Sequence, residues 1–209
     1  MSKKNKIKSK KTILPFLITL AGSVLLAMML FLPFASATGD FKEHIIDHPD
    51  WDYIEEIGMT NEEAMNLSLV EFARIYVFSA KQDYCVEISV SCIVIISICA
   101  FFMILTLISS CMNAPIATGI FDVMALVSFG IIQYDFKKRG VLPSNSFDWG
   151  IANYLVYVLG VIILGGAIWL LIEQIKIKKR WKMEQKSMRQ NNIKQNSMQQ
   201  NDLQESNIK

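Results

Sequence analysis

The chain has 209 residues, 52% of them apolar, with a mean hydropathy of +0.33 and a formal net charge of only +2. Its apolar residues are gathered into runs without charge, which excludes an ordinary soluble domain. So small a net charge marks no nucleic-acid partner.

In chain order, six lysines (Lys3, Lys4, Lys6, Lys8, Lys10 and Lys11) precede the first charge-free run, residues 13 to 37. About 20 apolar residues span the hydrocarbon of a bilayer, so this run is predicted to cross as a helix over residues 13 to 34. Its end carries Ala35-Ser36-Ala37, the A-x-A form that a signal peptidase cuts. The apolar core, however, is roughly 22 residues and about 33 Å long as a helix, whereas a signal peptide has about 7 to 15 apolar residues. An uncut anchor is therefore expected, with cleavage after Ala37 as the alternative.

Residues 35 to 86 form the predicted outer segment, and between 38 and 85 it holds eleven acids against three bases. The stretch DFKEHIIDHPDWDYIEE sets His44 and His48 four apart around Asp47. On a helix both imidazoles share a face, and His-x-x-Asp-His differs by one residue from the inverted zinc-protease pattern His-x-x-Glu-His. Aspartate is shorter than glutamate, Pro49 ends the helix at once, and no third ligand is evident. The carboxylates also suit a divalent cation such as calcium or magnesium. The plain reading is a solvated acidic surface on which Asp50, Trp51, Asp52, Glu55 and Glu56 are candidates to touch a partner. Further on, Thr60-Asn-Glu-Glu63 has the form of a capping box and predicts a helix running to about Ala80. Its stripe of Met65, Leu69, Phe72 and Tyr76 must bury a face; the outer mouth of the bundle is the plain cover, with the outer leaflet or a partner protein as alternatives.

Residues 88 to 121 carry no charge and the apolar run continues past Asp122 to Gln133, twice the length of one crossing. A hairpin of spans 87 to 109 and 114 to 134 is predicted, turning at Asn113 and restarting at Pro115. Cys85, Cys92 and Cys99 recur every seventh residue on one seam of the first of these spans, about 10 Å apart and beyond disulfide reach. Asp122 is the ionisable residue deep in a span, about 12 Å from its inner end at 1.5 Å per residue. An intramembrane acid is a functional candidate by default. As a neutral carboxyl its expected partners are Thr19, Ser23, Cys99 and Thr106, and it either joins helices by hydrogen bonds or couples to protons.

The second outer loop, residues 135 to 150, carries Lys137, Lys138 and Arg139. They are surface charges or dock against the acidic segment. The last span is predicted over 151 to 172, with Tyr134, Phe147, Trp149, Tyr154 and Tyr157 as an aromatic belt at its outer boundary and Trp169 and Trp181 at the inner one. Residues 173 to 209 form a basic, then polar tail. From Met183 its apolar positions recur every five residues, about 140° apart on a helix, which gives no stripe and predicts disorder.

Lysine-rich flanks at both ends place the termini in the cytoplasm and residues 38 to 85 outside it. The expected fold class is an all-α integral membrane protein, a four-helix transmembrane bundle with an acidic, partly helical outer segment between spans 1 and 2. In outline the layout resembles animal four-span families with a large first outer loop, but those carry a cysteine pair in that loop. Here Cys85 stands alone at its end, and no family is assigned. Seventeen lysines against four arginines suggest an AT-rich bacterial genome. No phosphate loop, nucleophile elbow, paired CxxC or dinucleotide fingerprint occurs. The expected function is thus a non-catalytic accessory, assembly or sensing component of a bacterial cell envelope. Such a component needs no cofactor, and its neighbours are lipid and either a protein partner or a second copy. The alternatives are a proton-linked transporter or channel subunit using Asp122, and a metal-binding segment or metal-dependent hydrolase at His44, Asp47 and His48.

Overall fold

The computed structural model describes the backbone of residues 3–83 and 85–206 and the side chains of residues 12–83 and 85–190. The side chains of the six leading lysines and of the last polar repeats lie outside these described residues. Four helices are long and apolar enough to cross a membrane: α1 (Lys3–Met28), α5 (Val86–Cys111), α6 (Pro115–Lys138) and α7 (Ala152–Ser206). Their outward faces present Val24, Val94, Phe101, Ile120, Val127 and Val161 as exposed side chains, a surface that lipid accommodates and water does not. Inside, glycines set the helix spacing. A Cβ on Gly160 of α7 would lie 2.6 Å from Leu126 of α6, and one on Gly166 would lie 2.5 Å from the Thr19 hydroxyl of α1, so these contacts admit no side chain. The α5–α6 hairpin turns as the sequence predicts. Asn113 takes the left-handed conformation (φ +56°), which asparagine tolerates, and Pro115 opens α6 where a missing N–H costs nothing.

The segment between the first two spans corrects the all-α expectation. At the end of the bundle opposite the α5–α6 turn, the chain builds a mixed cap from β1 (Pro33–Ala37), α2 (Gly39–Asp47), β2 (Asp52–Ile54), β3 (Met59–Thr60), α3 (Asn61–Met65), β4 (Asn66–Ser68), α4 (Leu69–Lys81) and β5 (Phe147–Trp149). Three strands form an antiparallel sheet in the order β4-β1-β5, in which Ala35 faces Leu67 on one side and Trp149 on the other. β2 and β3 pair separately. The stretch that carries the A-x-A form is a central strand, and Phe34 and Ala35 in it are fully buried. Because the chain continues as β1, the first apolar helix ends in a short 3-10 turn at Met29–Phe31 rather than at residue 34.

The helix expected from 60 to 80 is also broken in two. Thr60 caps α3 by accepting the Glu63 N–H at 3.3 Å, but α3 stops at Met65 and β4 intervenes before α4. Ser68 then starts α4 with a second capping box, accepting the Glu71 N–H at 3.2 Å while its own N–H donates to the Glu71 carboxylate at 2.5 Å. Sheet pairing of Asn66–Ser68 with β1 outweighs local helix propensity here. As expected, α4 lies over the bundle and buries Leu69 and Phe72.

Phe34 closes the joint between cap and bundle. Its ring meets Phe72 of α4, Phe129 and Phe136 of α6 and Trp149 of β5 edge-on, with centroids 5.5 to 5.9 Å away, the geometry aromatic quadrupoles favour. At the other end α7 does not stop near residue 172, nor is its tail without structure from Met183. The helix continues to Ser206. No proline or glycine follows Gly166, and the Gln, Met, Lys, Glu and Arg that fill the tail are good helix formers. Its 55 residues make a rod of about 82 Å at 1.5 Å per residue.

Candidate functional site

Asp122 lies on α6 with no exposed surface, and both of its carboxyl oxygens are buried without a hydrogen-bond partner. None of its four expected partners reaches it. Thr19 donates to Pro15 O at 2.8 Å, Ser23 donates to Thr19 O at 2.8 Å and pairs with Ser110 at 2.6 Å, and Thr106 donates to Phe102 O at 2.8 Å. Cys99 points its thiol at Ala125 O, 3.9 Å away. The physical reason is local. A helical hydroxyl finds the carbonyl four residues back on its own helix before it finds a neighbour. An unpaired polar group at such a place is costly to bury. Asp122 lines none of the pockets described below.

On the cap, α2 ends at Asp47, and His48 follows it in a non-helical conformation. His44 and His48 do approach, ring centroids 5.7 Å apart, but the His48 imidazole is stacked flat on Trp51 at 3.8 Å and 6°. Among the described residues no group of three or more His, Cys, Asp or Glu side chains is placed to hold a metal ion. The same turn holds Trp51 still. Its N–H donates to His48 O at 3.3 Å, its carbonyl accepts the Asn61 N–H at 2.8 Å, and the Asn61 amide donates to His48 O at 2.8 Å. Trp51 is nonetheless 58% exposed. Asp50, Asp52, Glu55 and Glu56 around it are exposed as well, and among the described residues none of the four has an ion-pair partner.

A polar node that the sequence analysis does not anticipate joins the cap to the bundle. Arg139, at the end of α6, forms an ion pair with Asp135 one turn back. It also donates to the Cys92 thiol of α5 at 2.8 Å and lies over the rings of Tyr76 (5.9 Å) and Phe136 (5.4 Å). Of the three bases Lys137, Lys138 and Arg139, then, one does dock on the segment between the first two spans, through an aromatic ring rather than a carboxylate. Burial pushes the Tyr76 phenol up to about 12, with the Cys92 thiol adding to the rise and Arg139 opposing it. A pocket of about 250 Å³ opens beside the node, lined also by Glu87, Ile88 and Ser91. Because the Arg139 and Asp135 charges cancel, the node acts as a clamp between α4, α5 and α6. Its one legible sign in the sequence is the i,i+4 spacing of Asp135 and Arg139.

No protein-family model matches the chain, and none of the characterised proteins or solved structures compared with it is significantly similar.

Proposed function

We propose that the chain is a non-catalytic accessory, assembly or sensing component of a bacterial cell envelope, and that its acidic cap surface docks a partner protein carrying basic groups. The observation that supports this most is Trp51, a large aromatic fixed by Asn61 and His48 yet left exposed among four unpaired carboxylates. Rigid, exposed tryptophans are the residues around which binding energy concentrates, and the carboxylates supply steering and selectivity for a basic partner. The lysine-rich flanks support a topology with both termini in the cytoplasm and the cap outside the cell membrane. In vivo cross-linking through a photoreactive residue at Asp52 tests the docking. A partner captured by the parent and lost on Trp51→Ala supports it, and equal capture by both refutes it.

A second reading rests on Asp122, a fully buried carboxyl group with two orphaned oxygens, as the proton site of a transport subunit. Asp122→Asn separates the two. It leaves docking intact, and if the second reading holds it abolishes proton-linked flux in proteoliposomes.

A further inference from the structure

Gly130, Gln133, Tyr134 and Lys137 follow one face of α6 and form one wall of a cleft of about 410 Å³. Tyr154 and Tyr157 of α7 stand opposite, and Trp149 of β5 closes the top. From Gly130 to Lys137 the cleft climbs roughly 10 Å along the helix. That length is enough to run from a hydrocarbon edge through a headgroup layer about 5 to 8 Å deep.

The polar groups of the floor are already satisfied. The Tyr157 hydroxyl donates to the Gln133 carbonyl at 2.7 Å, the Gln133 amide donates to Asn153 at 3.0 Å, and the Asn153 amide donates to Phe34 O at 2.6 Å. At the lower end a Cβ on Gly130 would already stand in contact with the Tyr157 hydroxyl, 3.5 Å away, so the two walls meet there. The rim is different. Tyr134 and Tyr154 are each 66% exposed, and Lys137 is exposed with no ion-pair partner among the described residues, unlike Arg139 two positions on. A cleft whose lower polar groups already bond to one another and whose upper end carries an unpaired ammonium is matched by a phosphodiester that carries an acyl chain. A free anion would use the rim and leave the lower half unused. We infer that this cleft holds one anionic glycerophospholipid of the leaflet on the cap side, its phosphate on Lys137 and the start of one chain against Gly130 and Tyr157.

The test places a photoreactive residue at Tyr154 of the full chain in vesicles of equal parts phosphatidylglycerol and phosphatidylcholine, and identifies the lipid joined to that peptide by mass spectrometry. Phosphatidylglycerol should dominate the adduct. Lys137→Gln should cut it about fivefold, the factor for one lysine near an anionic surface, and Lys137→Arg should restore it. Adducts in the proportion of the bilayer, or insensitive to Lys137→Gln, overturn the assignment. So does displacement by millimolar inorganic phosphate, which would make the ligand a soluble anion.

Discussion

Phe34→Ala removes the side chain on which cap and bundle close. Phe34 is fully buried and touches four aromatic rings drawn from three elements. Truncating a buried phenylalanine costs about 3 to 5 kcal/mol, and the four ring contacts argue for the upper half of that range. Phe34→Leu divides the effect. Most of the apolar volume stays while the ring contacts go, and at about 0.5 kcal/mol each, the low end for such pairs, their loss amounts to about 2 kcal/mol. Denaturant titration in detergent, read by maleimide labelling with Cys85 and Cys111 changed to serine, follows the buried thiols Cys92, beneath the cap, and Cys99, mid-span. Phe34→Ala should expose Cys92 at denaturant concentrations that leave Cys99 protected, and Phe34→Leu should fall between it and the parent. A loss below about 1 kcal/mol for Phe34→Ala, against the expected 3 or more, would refute the view that this ring joins the two halves.

Tyr76 predicts an alkaline weakness. A phenol raised from 10 to about 12 by burial favours the folded state fully below pH 10 and loses that contribution as pH rises through about 12. The thermal midpoint of the parent should thus fall over this window more steeply than that of Tyr76→Phe, and parallel curves would contradict the clamp geometry. Asp122→Leu removes two orphaned carboxyl oxygens, so it should stabilise the bundle by about 1 to 3 kcal/mol, read as a raised unfolding midpoint in detergent. A lowered midpoint would mean that the acid has a partner.

The spans were legible because charge-free length is a one-dimensional property, and the α5–α6 turn because Asn113 and Pro115 act within a few residues of themselves. The cap was not. Its strands have two to five residues, too short for a period, and each exists because of a segment far along the chain, as when Ala35 meets both Leu67 and Trp149. Ser68 and Glu71 did stand in the sequence as a second capping box, and reading them would have split the helix correctly. Asp122 was visible as a buried acid, since composition alone isolates it. Its lack of partners was not, because hydroxyls that bond back to their own helix look the same in sequence as hydroxyls that reach across. The clamp draws Tyr76, Cys92, Asp135 and Arg139 from three helices, and only the pair on α6 has a spacing to read.

The order in which ribosomes deliver this chain bears on the strand that follows α1. Ala35 emerges first, Leu67 32 residues later and Trp149 114 residues later. At about 5 to 20 residues per second the second wait lasts roughly 6 to 23 seconds. Throughout that interval one backbone edge of the nascent strand is bare and Phe34 lacks its tryptophan neighbour, a state prone to pairing with the wrong chain. The sheet therefore completes only when β5 has emerged, and a truncated translation product ending before Trp149 should be a substrate for quality-control proteolysis.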